Sequence, residues 1–372
     1  MSKLESVIAE LVSISKNPKK AMDDYKAKTG KGSVGVLPVY SPEEIVYATG
    51  YLPVGIWGGQ KKIVKAGTYL PAFACSIMQS IMEMEIEGVY DDLAAVLISS
   101  PCDTLKCFGQ KWKGTSPVIQ FVHSQNRGLE SANTFMEKEY AFVKERLEEI
   151  LKIKITDEDI SKAIDVYNEN RAVTRSFCEV ATMYPQIIDP VVRHAVIKAR
   201  QFMDKAEHTK KVRELMAELM NEKVVPYAGK KVILTGIMAE PDELLDIFKT
   251  YNIAVVGDDL AQESRQIRTD VPAGKNPLRR LAKQWQNVTA CSLATDRAKP
   301  RGGFVIDLAN RYGADAVIVC MMKFCDPEEF DYPIMYEEFE KVGLKSLKIE
   351  IDQQLVSMEQ LRTRIQTFAE DL

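Results

Sequence analysis

The 372-residue chain holds seven cysteines, at positions 75, 102, 107, 178, 291, 320 and 325. Three share a local context: Cys75 precedes Ser76, Cys102 precedes Asp103, and Cys325 precedes Asp326. Serine and aspartate are good helix N-caps, so each thiol is expected beside a helix amino terminus. Free N–H groups and the helix dipole favour a thiolate there, and the thiolate is the form that binds metal. Cys325 has the fullest grammar. The apolar run Ala316–Cys320 reads as a buried strand, and Asp326-Pro327-Glu328-Glu329 as a helix start with Glu329 in the capping-box position. A cysteine between a strand's carboxyl end and a helix's amino end sits where α/β sheets bind ligands. Three soft thiolates suit a 4Fe–4S cluster with one iron left to a non-protein ligand, and that iron could do chemistry. Helix-start cysteines without function are the alternative.

The other four thiols have plainer readings. Cys320 ends the strand and packs in the sheet; Cys178 lies mid-helix in the core. Cys107 faces either the site or the core. Cys291, before Ser292, imitates the pattern without a clear helix before Pro300 and ranks fourth. A competing arrangement uses the pairs Cys102/Cys107 and Cys320/Cys325 as a four-thiolate zinc or cluster site, which requires Cys320 to leave the sheet. A disulfide framework is not expected in a chain of this kind.

Charge adds less. Lys275, Arg279, Arg280, Lys283, Arg297, Lys299 and Arg301 share their stretch with a single acid, Asp296. They form either a solvated face or a site for phosphates or an acidic surface. Asp258 to Arg265 follows a strand, and could line a crevice or make a cap and ion pair. His123 closes another strand. No P-loop or G-x-G-x-x-G is present, which argues against an ATPase or a standard dinucleotide enzyme. No Ser/His/Asp arrangement stands out, and no catalytic acid or base is assigned. The net charge of −4 gives no pull toward nucleic acid or an anionic membrane. No apolar run approaches a membrane span and no signal-peptide pattern opens the chain, so a cytoplasmic location is expected.

These residues need a frame to hold them. One or two helices fill the first thirty positions. Strands are expected at Ser33–Val39, Leu52–Trp57, Ala94–Ser99 and Val118–Val122, with a helix after Cys75 capped by Ser76 and Gln79. From Leu129 to about Glu222 the sequence is helix-forming, including one long helix over Val191–Met220. Strands return at Lys231–Thr235, Ile253–Gly257, Ala316–Cys320 and Leu347–Ile351, and a last helix is expected from Ser357. The fold class is α/β: two Rossmann-like, doubly wound lobes (1–128 and 227–372) with a mainly helical insert (129–226) between them. Ser99–Asp103 and Val319–Asp326 share one grammar, as two similar lobes facing each other would.

Taken jointly, Phe73-Ala74-Cys75-Ser76-Ile77-Met78-Gln79-Ser80, Cys102-Asp103-Thr104-Leu105, Asp258-Asp259-Leu260-Ala261-Gln262-Glu263-Ser264-Arg265 and Met321-Met322-Lys323-Phe324-Cys325-Asp326-Pro327-Glu328-Glu329 are specific. They resemble the β subunits of the oxygen-sensitive 2-hydroxyacyl-CoA dehydratases, the 2-hydroxyglutaryl-CoA dehydratase family, and most the branch acting on 2-hydroxyisocaproyl-CoA or phenyllactyl-CoA. Benzoyl-CoA reductase subunits and double-cubane reductases belong to the wider superfamily. The resemblance, running from Lys19 to near the C-terminus, implies one 4Fe–4S cluster per chain on Cys75, Cys102 and Cys325. It implies a homologous α subunit and an ATP-dependent iron–sulfur activator that supplies one electron. Water is then lost from the (R)-2-hydroxyacyl-CoA through a ketyl radical anion to give the (E)-2-enoyl-CoA, in amino-acid fermentation. An unactivated β-proton is too weak an acid for a side-chain base, so a low-potential metal centre is needed. The acids after Cys325 are expected to face away from such a centre. A non-catalytic metal module remains the other class of reading.

Overall fold

The computed structural model describes residues 2–37, 39–354 and 357–372. Met1, at the head of the first expected helix, and Pro38, inside the first expected strand, lie outside the described residues. The chain opens with α1 (Lys3–Lys16) and α2 (Pro18–Thr29). Ser2 and Glu5 close a capping box on α1, and Pro18 starts α2. Then come β1 (Ser33–Val36), α3 (Glu43–Tyr47), β2 (Leu52–Gly55), α4 (Ser76–Ile86), β3 (Leu93–Ser100), α5 (Asp103–Phe108) and β4 (Val118–Val122).

Four helices follow: α6 (Glu130–Leu151), α7 (Asp157–Ala181), α8 (Pro190–Ala199) and α9 (Lys205–Leu219). The long helix expected over Val191–Met220 is thus two. Its break is chemical: the Asp204 carboxylate accepts from the Ala206 and Glu207 amides at 2.9 and 3.1 Å and starts a new helix. The remainder is β5 (Lys230–Gly236), α10 (Asp242–Thr250), β6 (Ile253–Leu260), α11 (Pro277–Asn287), α12 (Arg301–Tyr312), β7 (Ala316–Met322), α13 (Asp326–Val342), β8 (Lys345–Ile351) and α14 (Glu359–Asp371). The helices α11 and α12 lie between β6 and β7, where the sequence placed no element.

Both sheets are wholly parallel and share one topology, β2-β1-β3-β4 and β6-β5-β7-β8. In each, the first strand is flanked by the second and third. Connections leaving those strands go to opposite faces, which opens a crevice at the carboxyl ends. Cys102 follows β3 and Cys325 follows β7, the equivalent strands of the two lobes. The shared grammar of those stretches therefore reflects a shared place in the fold.

The inner strands are buried on both faces, as parallel strands usually are, while the edge strand β8 leaves Lys345, Lys348 and Glu350 exposed. Along β7, Ile318, Cys320 and Met322 enter a core continuous with Val96, Leu97 and Phe121 of the first lobe, while Val317, Val319 and Met321 pack on Val305 and Phe339. The lobes thus share apolar contacts. Gln353 pins them further, with its amide N–H on Ser76 Oγ at 3.1 Å and its carboxamide on Trp57 O and Ser80. Helices α1, α7, α8 and α9 build a separate core around Leu11, Phe177, Val212 and Leu215.

Gly236 ends β5 opposite Cys320 with φ +143°, and a Cβ there would stand 2.2 Å from the Cys320 carbonyl oxygen. That neighbour is backbone and cannot step aside. Gly236→Ala is expected to destabilise the chain by about 2 kcal/mol or more, read as a lower denaturant midpoint at unchanged m.

Candidate metal centre

Cys75, Cys102 and Cys325 come together. All three line one cavity of about 420 Å³, with Ser100, Pro101, Asp103, Thr104, Lys106, Val122, His123, Gln125, Phe324, Asp326 and Pro327. Two of the thiols come from the first lobe and one from the second, so the cavity lies between the lobes. Each cysteine is itself the N-cap of its helix: Cys75 of α4, Cys102 of α5, Cys325 of α13. This corrects the expected caps. Ser76, Asp103 and Asp326 are first-turn residues, and the Ser76 hydroxyl serves the lobe interface instead. The cap position brings the thiols closer to the free amides than the sequence suggested. Amides of Ile77 and Met78 favour a Cys75 thiolate, those of Thr104 and Leu105 a Cys102 thiolate, and that of Glu328 a Cys325 thiolate.

Burial nevertheless wins. It pushes Cys75 up to about 12, and raises Cys102 and, further, Cys325; nearby negative charge adds to it, from Cys102 at Cys75, from Asp103 and Asp326 at Cys102, and from Glu328, then Cys75 and Cys102, at Cys325. The expectation of spontaneous thiolates is corrected: in the bare chain these groups hold their protons. Binding a cation there must release them, and is favoured as pH rises.

Among the described residues, no three His, Cys, Asp or Glu side chains converge on the position of a single metal ion. Cys320 stays in β7, fully buried, and Cys107 is exposed and off the cavity, so the four-thiolate arrangement loses two members.

The acids after Cys325 split. Glu329 is exposed, but Asp326 lines the cavity, as does Asp103. With cysteine as N-cap, the next residue is held beside it, and the helix dipole compensates a carboxylate at that position. Glu328 is buried and neutralised. Its carboxylate receives Arg265 Nη1 at 3.1 Å, Arg301 Nη2 at 2.6 Å and the Ser292 hydroxyl at 2.7 Å. Arg265 and Arg301 both also bind Asp259, at the end of β6, and Arg268 joins them there. Burial would raise both carboxyls, but the arginines hold Glu328 below its usual range and Asp259 far below. The Asp258–Arg265 stretch is thus an ion-pair lattice behind Cys325. The basic run is mostly a solvated face: Lys275, Lys283, Arg297 and Lys299 are exposed, Arg279 pairs with Glu130 and Glu137, and Arg301 alone of the run joins the buried lattice.

One local feature escaped the sequence. Phe324 has φ +62°, a left-handed turn that a non-glycine residue rarely takes, and it swings Cys325 onto its helix. No side-chain signal announces it.

A family model described as 2-hydroxyglutaryl-CoA dehydratase, D-component, matches residues 38–372. The chain belongs to this dehydratase family. It is 61% identical to the lactoyl-CoA dehydratase β subunit of Anaerotignum propionicum and 44% identical to the (R)-phenyllactyl-CoA dehydratase β subunit of Clostridium sporogenes, with all of each chain covered. It is 36% identical to the (R)-2-hydroxyglutaryl-CoA dehydratase β subunit of Acidaminococcus fermentans, over 99% of this chain and all of that one. Among the described residues of this dehydratase-family chain, no helix is long and apolar enough to cross a membrane.

The remaining cysteines of the dehydratase chain fall elsewhere. Cys178 is half-buried against the helical core, 3.8 Å from Arg193. Cys291 is buried, receiving the Tyr40 hydroxyl at 2.9 Å and Arg265 at 3.7 Å.

The chain's three histidines set its response near neutral pH. Burial lowers His123 to about 4 and His208 to about 3. Burial also opposes charge on His194, but Glu240 and Glu263 outweigh it and raise it to about 9. His123 and His208 stay neutral when folded, so stability is lost as pH falls below the unfolded value, by about 2 kcal/mol each at pH 5. His194 contributes stability that is full below about pH 6.5 and lost as pH rises toward 9, with about 2 kcal/mol gone by pH 8. Denaturant midpoints of the metal-free chain are therefore expected to peak between pH 6 and 7. A flat profile across that range would contradict these environments.

Proposed function

We propose that this chain is the cluster-bearing β subunit of an (R)-2-hydroxyacyl-CoA dehydratase, a hydro-lyase that forms the (E)-2-enoyl-CoA. Cys75, Cys102 and Cys325 hold one 4Fe–4S cluster, whose remaining iron takes a non-protein ligand. The observation that carries this is the sharing of one inter-lobe cavity by three cysteines that each hold a helix N-cap position. The donor set fits the group: soft sulfurs, amide N–H groups beside them, and a cavity larger than one ion needs. Bound there, the cluster supplies a one-electron, low-potential centre that side chains cannot provide.

The chain's own residues do the rest. Helix caps orient the sulfurs. Both lobes partly bury them. Arg265 and Arg301 pair with Glu328 and offset part of its repulsion of negative charge at Cys325. The naming of the relatives as β subunits supports pairing with an α subunit. A separate ATP-dependent activator supplies the electron. The cytoplasm is the place for such an oxygen-sensitive reaction.

The identity to the lactoyl-CoA dehydratase subunit makes (R)-lactoyl-CoA the first ester to test. The three anaerobically reconstituted components should dehydrate it faster than phenyllactyl- or 2-hydroxyglutaryl-CoA. Failure to dehydrate any 2-hydroxyacyl-CoA, with reduction of an acyl ring instead, would move the chain to a reductase role.

A further inference from the structure

His123 ends up in a place that neither packing nor the ion-pair lattice explains. It directly follows β4, is 3% exposed, and forms part of the wall of the cysteine cavity. Its ring leans on Trp285 at 4.3 Å and Phe121 at 5.1 Å between centroids. Nε2 lies 3.2 Å from the Tyr40 carbonyl oxygen. A carbonyl can only accept, so the proton is on Nε2 and Nδ1 is left as a bare acceptor. Nδ1 is buried and has no partner in the protein.

A buried acceptor without a donor costs about 1–3 kcal/mol and needs a reason. The same short loop holds two more buried atoms without partners, Ser124 Oγ and Arg127 Nε. Of these three residues only His123 lines the cysteine cavity, so its Nδ1 is the atom that an occupant of that cavity would complete.

We propose that His123 is a positioning residue whose Nδ1 accepts a hydrogen bond from a protic, non-protein group bound in the cysteine cavity, the group that completes the cluster. This rests on the cluster reading above. Such a partner would orient the group and tune the iron it belongs to, as outer ligands of metal sites do. The aromatic walls fix the ring, so the acceptor is held in place without a further bond.

Two substitutions separate this role from a merely structural one. His123→Asn keeps a polar atom near the Nδ1 position and gives up the bond to Tyr40. His123→Gln keeps a donor near the Nε2 position and gives up the Nδ1 acceptor. Both are made in the anaerobic holoenzyme. Iron and sulfide are counted, and Mössbauer difference spectra against wild type cancel iron on any other subunit. The expected result is unchanged iron in both variants, with the signature of the iron not bound by cysteine lost in His123→Gln and kept in His123→Asn. Turnover should fall about 10–100-fold in His123→Gln, the range for loss of a metal ligand's outer partner. The reverse pattern, a native spectrum in His123→Gln and a changed one in His123→Asn, would make His123 a structural link to Tyr40 and overturn the proposal, as would any other pattern. If wild type itself holds no cluster, it is the cluster reading that fails.

Discussion

Replacing Cys325 by serine is expected to empty the metal centre, taking iron from about four per chain to near zero and abolishing dehydration. Cys75→Ser and Cys102→Ser should do the same. Serine is nearly the same size, so the fold should survive and far-UV circular dichroism should not change. Its oxygen is a hard donor and a far weaker acid, and here burial already resists ionisation of the thiol it replaces. Three ligands leave no redundancy. Cys178→Ser should retain iron, because Cys178 packs in the helical core and lines none of the cysteine cavity. Cys291→Ala should also retain it, since that thiol is engaged with Tyr40 and Arg265. If Cys178 proved essential and Cys75 dispensable, the assignment would be wrong.

Arg265→Ala is expected to cost about 3–5 kcal/mol of folding stability, the range for removing one partner of a buried ion pair. The Arg265 side chain is fully buried and serves two carboxylates, with Asp259 Oδ2 at 3.0 Å and Glu328 Oε1 at 3.1 Å. Its removal leaves Glu328 to Arg301 and Ser292 in a site without water access. Glu328 lies three residues after Cys325 on the same helix start, so the lost anchor should also lower iron occupancy. Glu328→Gln removes the opposite charge, and the Arg265→Ala/Glu328→Gln double variant should be less damaged than the two single costs added. A coupling of more than about 1 kcal/mol is expected in guanidinium unfolding of the cycle. Strict additivity would mean that the lattice does not link the sheet to the cysteine helix.

Much of the frame was legible because its signals are local. The strand Ala316–Cys320, the Pro327 helix start and the turn to Cys325 all lie within one short stretch, and periodicity and capping chemistry suffice to read them. The strand Val118–Val122 was legible for the same reason. The cysteines were picked by their neighbours, yet for a slightly wrong reason. Serine and aspartate are better caps than cysteine in general, yet here the cysteines hold the cap position, without a side-chain capping bond. The break before Asp204 was readable as a capping aspartate inside a strong helical pattern, which masked it. What escaped depends on distant partners. Arg265 and Glu328 are 63 residues apart in sequence, and Gln353 and Ser76 are 277 apart. No local pattern joins them. Likewise α11 and α12 carry narrow apolar stripes, Leu281 with Trp285 and Val305 with Ala309, inside a stretch whose charges dominate the reading.

The central claim is that Cys75, Cys102 and Cys325 jointly carry one 4Fe–4S cluster. Its most direct measurement is iron, acid-labile sulfide and zinc per chain in anaerobically purified protein, beside the Cys75/Cys102/Cys325 triple serine variant. The expected result is about four iron and four sulfide per wild-type chain, with a brown chromophore, and none of either in the variant. One zinc without sulfide in a colourless wild-type chain, or iron retained by the triple variant, would contradict it.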